Sequence, residues 1–483
     1  MKNKKIMMIL ALTMSASMLL SLAACSSAGS SIPAVASTAA ESVNSNEINN
    51  YNDGEHAIEV SGKTEEYSNV KITKTGSSSS GDEADFYGDN AAVFATEKAT
   101  LTLSGITVNT DGAHANAVFS YGEGTTVNIS DSTITTSGDC SGGLMTTGGG
   151  TMNATNLNIR TTGNSSAAIR SDRGGGTVNV TGGTYKTDGT GSPAVYSTAD
   201  ITVNNATLES TASEGVVVEG KNSVTLNNVN LPANHSTHNS DKTDNSNAVM
   251  IYQSMSGDAS VGLASFTMTG GTLTNKLGDV FFINNTAANV TLENVKIENQ
   301  DADGFFLKAA AAGWGTEGSN GGKVNLSLKK QTLNGNIAVD GVSQLNMYMS
   351  SDTAYTGAIN TDNKGEVYVE IESGSKWILT GDSYITSLTC DADAIDLGGH
   401  KLYVGETEYN SGKASKGTAI EIKTESSSSG QPDGMPGEPP SGEKPAGAPP
   451  SGQKQSGTPP SGDPPQGGPK ENGEAPENQG SEG

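Results

Sequence analysis

A pair of apolar residues spaced one apart recurs along most of this chain, and that recurrence restricts the fold more than any other feature. Val127/Ile129, Met152/Ala154, Val178/Val180, Ile201/Val203 and Val224/Leu226 follow one another at intervals of 25, 26, 23 and 23 residues. Phe266/Met268, Val290/Leu292, Val324/Leu326, Leu345/Met347 and Val367/Val369 continue the series. Alternation with a period of two marks strands, and regular spacing in this range marks stacked repeats. Two intervals stretch to 42 and 34 residues, so loops are expected at about 232–247 and 309–322. Within one repeat, Val178–Val180, Thr184–Lys186 and Ala194–Tyr196 are separated by Gly-Gly and by Gly189–Ser192, which gives three short strands. The expected fold is all-β: a single-domain right-handed parallel β-helix solenoid with three sheets, over residues 56–424. Stacking pairs each backbone N–H and C=O with the neighbouring turn, which suits a chain poor in large side chains. A β-sandwich array is the rival, but its antiparallel strands would not need successive units to match residue for residue.

The two ends read differently. Lys2, Lys4 and Lys5 precede an apolar run from Ile6 to Leu20, and Leu22-Ala23-Ala24-Cys25 follows. This pattern is a secretory signal peptide, residues 1–24. Its last four residues resemble the lipobox of bacterial lipoproteins, which implies that the Cys25 thiol receives a diacylglyceryl group and becomes the first residue after cleavage. The location that follows is the extracellular face of the cell membrane, with lipid as the only anchor, since no later stretch approaches the roughly 18 apolar residues of a spanning helix. Residues 25–55, rich in Ser, Ala and Asn, read as a flexible stalk. Thirteen of the 16 prolines lie after residue 430, where Pro-Pro-Ser-Gly recurs at Pro439, Pro449 and Pro459. Residues 425–483 are therefore expected to form a disordered, Pro/Gly/Ser-rich tail, a spacer or a ligand for proline-binding modules.

Charge excludes some partners. Twenty-eight basic and 53 acidic residues give −25, and loss of residues 1–24 removes three lysines and no acid, which leaves −28. Such a surface repels nucleic acid and anionic lipid. Cys140 and Cys390 lie far apart in the repeat order, so no disulfide scaffold is indicated.

The repeats resemble the pectin-lyase-like superfamily over residues 56–405. Segments such as Ala168–Gly175 and Leu379–Leu388 are similar to β-helix surface lipoproteins of Gram-positive gut bacteria, often described as carbohydrate-binding or adhesin-like. That resemblance implies architecture more than activity, because one such fold hosts many functions.

Alignment of the third strands suggests where binding could occur. Val118, Leu144, Ile169, Val195, Val217 and Phe281 are expected to point inward. Their successors Phe119, Met145, Arg170, Tyr196, Val218 and Phe282 are then expected to point outward, with Phe306 continuing the column. Rungs about 4.8 Å apart would make these an aromatic and apolar ladder. It is either an exposed strip on which a polysaccharide stacks, helped by Trp314, or a face that the two long loops cover.

All three arginines, Arg160, Arg170 and Arg173, fall within fourteen positions. Arg170, Arg173 and Asp172 are either a clamp for a uronic acid carboxylate or a set of pairs that shapes the turn before Gly174. The resemblance implies that an enzyme of this kind would use a basic proton acceptor beside calcium-binding acids, or several aspartates as acid and base. A glycosidase needs two facing carboxylates, and Glu219, expected in the inward Ser171 column, does not supply the second. His235 and His238 sit together in the first long loop. The acidic clusters at Asp82–Asp89, Asp301/Asp303 and Asp391/Asp393/Asp396 lack a calcium-loop spacing. No metal or cofactor is expected, with Ca²⁺ at these acids the one open possibility. The function expected is a non-catalytic adhesin or glycan-binding module for a host or bacterial surface polysaccharide. The alternatives are a lyase or hydrolase acting on acidic polysaccharides, and a structural spacer.

Overall fold

The computed structural model describes residues 46–424. The signal segment, Cys25, the stalk up to residue 45 and the tail from residue 425 lie outside the described residues. What is described is almost wholly β, and no described helix is long and apolar enough to cross a membrane.

The apolar pairs lie where stacking puts them. Val178 pairs with Ile201 and Ile201 with Val224, parallel and in register, as adjacent rungs of one 21-stranded sheet. Leu101, Val127, Met152, Phe266 and Val290 belong to the same fully buried column. Strand alternation explains this, since one set of side chains enters a shared core while its neighbours face out. In one stretch the core holds three crossed rings, Phe266–Phe281 at 5.4 Å and Phe281–Phe306 at 5.6 Å between centroids.

First and second strands of each repeat share that sheet because one residue turns the corner between them. Asn69, Gly105, Asp131, Asn156, Gly182, Asn205, Asn228, Gly270 and Asn294 all sit there at φ between 49° and 70°. Asn, Asp and Gly are the residues that tolerate this left-handed conformation. In two repeats the corner does not even interrupt the strand, giving Gly150–Thr161 and Gly176–Thr187. Third strands form an 11-stranded sheet, and the last repeats place their second strands in a separate 4-stranded sheet built on Leu333, Tyr355 and Trp377. Strand pairings are parallel except Leu402–Val404 with Thr407–Glu408, the antiparallel end of a 3-stranded sheet.

Register departs from expectation in three places. Val324 pairs with Ala288 rather than Val290, a slip of two that leaves every side chain on its own face. In the third strands Val195 pairs with Val216, not Val217, a slip of one, and Phe281 pairs with Leu307, not Phe305, a slip of two. At the beginning, the expected stalk contains strand Glu47–Asn50, paired with Lys71–Lys74.

Candidate functional site

The two shifts in the third strands decide what the outer face of the 11-stranded sheet carries. Its outward column runs Phe94, Phe119, Met145, Arg170, Tyr196, Val217, Met250, Phe282 and Lys308. Val218 therefore faces inward, and Phe306 lies in the core against Phe281 instead of continuing the ladder. Glu219 moves the other way. It belongs to the outward column of Asp172, where its carboxylate accepts hydrogen bonds from Tyr196, from Tyr252 at 3.2 Å and from Ser254. Burial and this carboxylate hold both tyrosine hydroxyls far above their ordinary pKa.

The ladder is not an exposed strip. Phe119, Met145 and Phe282 are buried, although all three point outward from the sheet. Two inserts cover them. The first, residues 75–92, contains helix Asp82–Tyr87, which the repeat spacing does not reveal because the insert precedes the regular series. Gly88 closes it at φ 80°, where a Cβ would stand 2.5 Å from the Phe94 ring. The second insert is the long loop after Leu307–Ala309. Its Trp314 packs with Tyr252 (5.1 Å between centroids) over Val217, Met250 and Phe282. The loop at 234–246 braces it, Lys242 O accepting from Gly313 N at 2.8 Å. Lys308, bonded to Asn245 at 2.8 Å, is followed in the column by Ala338.

Between the two covers lies a buried ionic network. Arg170 donates from Nη1 to Asp85 Oδ2 at 3.2 Å and from Nη2 to Asp172 Oδ2 at 2.9 Å. Asp85, from the covering helix, also accepts from Asn116 at 3.0 Å and faces His114 Nδ1 at 3.3 Å. Burial opposes the Asp85 charge, but Arg170, His114 and Asn116 outweigh it and hold the acid below the ordinary carboxylate range. At Asp172 deep burial, helped by the nearby Asp258 and Asp85, outweighs Arg170 and the Arg173 N–H, and its pKa is pushed up to about 6. Arg173 pairs with Asp258 at 2.8 Å and lies 3.9 Å over the Phe86 ring. Arg170 and Asp172 thus hold each other, Arg170 is tied to the insert through Asp85, and Arg173 is tied to Asp258 and Phe86. Arg160 is remote from them, on Asp188. His235 and His238 pack together at 4.5 Å, next to Glu214. Asp301 spends its carboxylate on the backbone N–H groups of Gly278 and Asp303.

The chain matches no family model, no curated protein and no solved structure.

The outer face of the first strands is the opposite kind of surface. Thr102, Asn128, Asn153, Asn179, Thr202, Thr225, Thr267, Thr291 and Ser327 form one outward column, at least partly exposed throughout. On either side, two residues along each strand, runs a second column of Thr, Ser and Asn. Across these nine rungs of the three columns only Asp200, Glu293 and Lys329 are charged, while Glu66 precedes Thr102 in the central column. Asparagines bond rung to rung and fix the side chains, Asn153 to Asn128 at 2.9 Å and Asn179 to Asn153 at 3.0 Å. Past Ser327 the central column continues through Tyr348, Glu370 and Thr389; Tyr348 stands 6.0 Å from Tyr368 and lines a groove of about 750 Å³ with Glu370, Thr389 and Lys416. Sequence reading passed over this surface because its residues have no catalytic chemistry.

Proposed function

We propose that this chain is a lipid-anchored, outward-facing binding protein whose parallel sheets are the faces of a right-handed β-helix. Its ligand is an uncharged polysaccharide that lies along the Thr/Asn face of the first strands. The uncharged strip carries this reading. Nine rungs at ~4.8 Å span roughly 38 Å, so the strip repeats one set of hydroxyl and amide groups over a polymer's length. Donors and acceptors locked by neighbours lose little freedom on binding, which favours affinity from many weak contacts. Net charge supports the choice of a neutral ligand, because a body this acidic repels uronate-rich chains. Arg170, the cation that might have attracted them, is neutralised by two aspartates. Tyr348, partly exposed in the groove past Ser327 and backed by the buried Tyr368, offers a ring on which a sugar can stack.

The test is retention of the full mature chain on neutral and on acidic polysaccharides, at low and high salt. Binding to at least one neutral polymer, insensitive to salt and weakened at least tenfold by Thr202→Lys with Thr267→Lys, is the expected outcome. These two positions are outward and separated by a rung, so the folded body tolerates them. Binding confined to acidic polymers, or no binding to any, overturns the reading.

A further inference from the structure

We propose that Asp85, His114 and Cys140 form a binding site for a borderline transition-metal ion such as Zn²⁺. Their ligand atoms, a carboxylate oxygen, an imidazole nitrogen and a thiol sulfur, all lie within 4.8 Å of one another. Tetrahedral zinc with bonds of about 2.0–2.3 Å places such atoms roughly 3.3–3.7 Å apart. Small side-chain rotations therefore close the set.

Three parts of the chain contribute. Asp85 comes from the helix of the first insert. His114 and Cys140 come from the same turn position of adjacent repeats, each four residues before an inward residue of the third strand, Val118 and Leu144. In three other repeats that position holds Gly54, Ser165 and Gly191, all at positive φ. His114 and Cys140 keep the conformation, at 56° and 54°, although glycine adopts it more easily. The two rungs that depart to a nitrogen and a sulfur ligand are the two that face Asp85.

The surroundings suit a bound cation. Asn116 fixes Asp85 Oδ1 at 3.0 Å, and Arg170 holds Oδ2, the kind of outer support that orients a ligating carboxylate. Asp85 and Asp172 carry two buried negative charges against one from Arg170. A divalent ion with Cys140 as thiolate brings the group to neutrality, the thiol proton leaving to solvent as the metal–sulfur bond forms. Three protein ligands leave a fourth position for water, on the side where Cys140 is partly exposed. The site is on the covered sheet, so it does not rest on the polysaccharide reading.

Titration of the full chain with Co²⁺, and competition by Zn²⁺, test the site. One equivalent of Co²⁺ is expected to raise a cobalt–thiolate charge-transfer band that Zn²⁺ abolishes. Cys140→Gly and His114→Gly restore the residue found elsewhere in the column, so folding is not at risk. Cys140→Gly removes the band, and His114→Gly weakens binding at least tenfold. Asn116→Ala weakens binding about 10-fold through Asp85. Cys25→Ser and Cys390→Ser leave the band unchanged. No band in the unaltered chain, or a band that survives Cys140→Gly, overturns the proposal.

Discussion

On the 21-stranded sheet the outward residues of the first strands are Thr, Asn and Ser, and they reach solvent. On the 11-stranded sheet the equivalent outward residues are Phe, Met, Val and Tyr, and they lie beneath two inserted segments. Both faces come from one alternation, so the difference is chemical. A polar outward column is satisfied by water and needs no cover, whereas an apolar one this long is stable only when something packs on it. The inserts at 75–92 and 310–321 are therefore as much part of the fold as the strands they cover.

Truncating the covered column is the hardest test of this contrast and carries the largest effect. Phe119→Ala and Phe282→Ala each remove a fully buried ring and are expected to cost about 3–5 kcal/mol. Thr151→Ala, on the open face, stays within about 0.5 kcal/mol. Urea unfolding followed by hydrogen exchange at the inserts measures both. If the phenylalanine variants were as stable as Thr151→Ala, the column would not be a second core.

Next comes the ionic network. Arg170→Met removes the cation that Asp85 and Asp172 share, leaving only His114 beside Asp85, and loss of one partner of such a buried pair costs roughly 3–5 kcal/mol. Pairing the change with Asp85→Asn and Asp172→Asn should recover most of it. A simple additive result would break the account of Arg170 as the bridge between insert and sheet.

How much of this was legible depends on what each residue could signal. Val178, Ile201 and Val224 announce their rungs because polar residues flank them and only one parity is possible. Val216-Val217-Val218 and Phe305-Phe306-Leu307 are uniformly apolar, so they carry no parity, and there the reading slipped, by one at the first and by two at the second. The slip of one set Glu219 inward, and the slip of two put Phe306 within a strand, whereas it lies just before strand Leu307–Ala309 and faces the core. The slip at Val290 was two and changed nothing. Inserts escape periodicity altogether, because residues 75–92 belong to no repeat. His114 and Cys140 were within reach, since their spacing of 26 is one repeat, but only if turns are aligned as strictly as strands.

A pH profile sharpens the comparison at intermediate size. Asp172 holds its proton up to about pH 6 when folded, whereas the unfolded side chain releases it near 3.8. Between those values the folded chain binds more protons, so this group's contribution makes stability fall as pH rises, by at most about 1.4 kcal/mol per unit. Asp85 acts oppositely: its lowered pKa adds stability above 3.8 that is lost as the solution is acidified. Asp172→Asn should therefore flatten the decline between pH 4 and 6 and leave the acid limb in place. A decline that persists in the variant would assign it to another group.

The smallest effect separates the two faces most finely. Asn153 accepts from Asn179 and donates to Asn128, yet all three side chains meet water, so each bond replaces one that solvent supplies. Asn153→Ala should destabilise by no more than about 1 kcal/mol. What the ladder supplies instead is fixed geometry: with its middle member gone, Asn128 and Asn179 are free to rotate, and a ligand must order them on binding. Isothermal titration with a retained neutral polysaccharide should then show weaker binding and a more unfavourable entropy, at nearly unchanged melting temperature. An equal loss of stability and affinity would mean that Asn153 holds the sheet together, and that the open face is structural like the covered one.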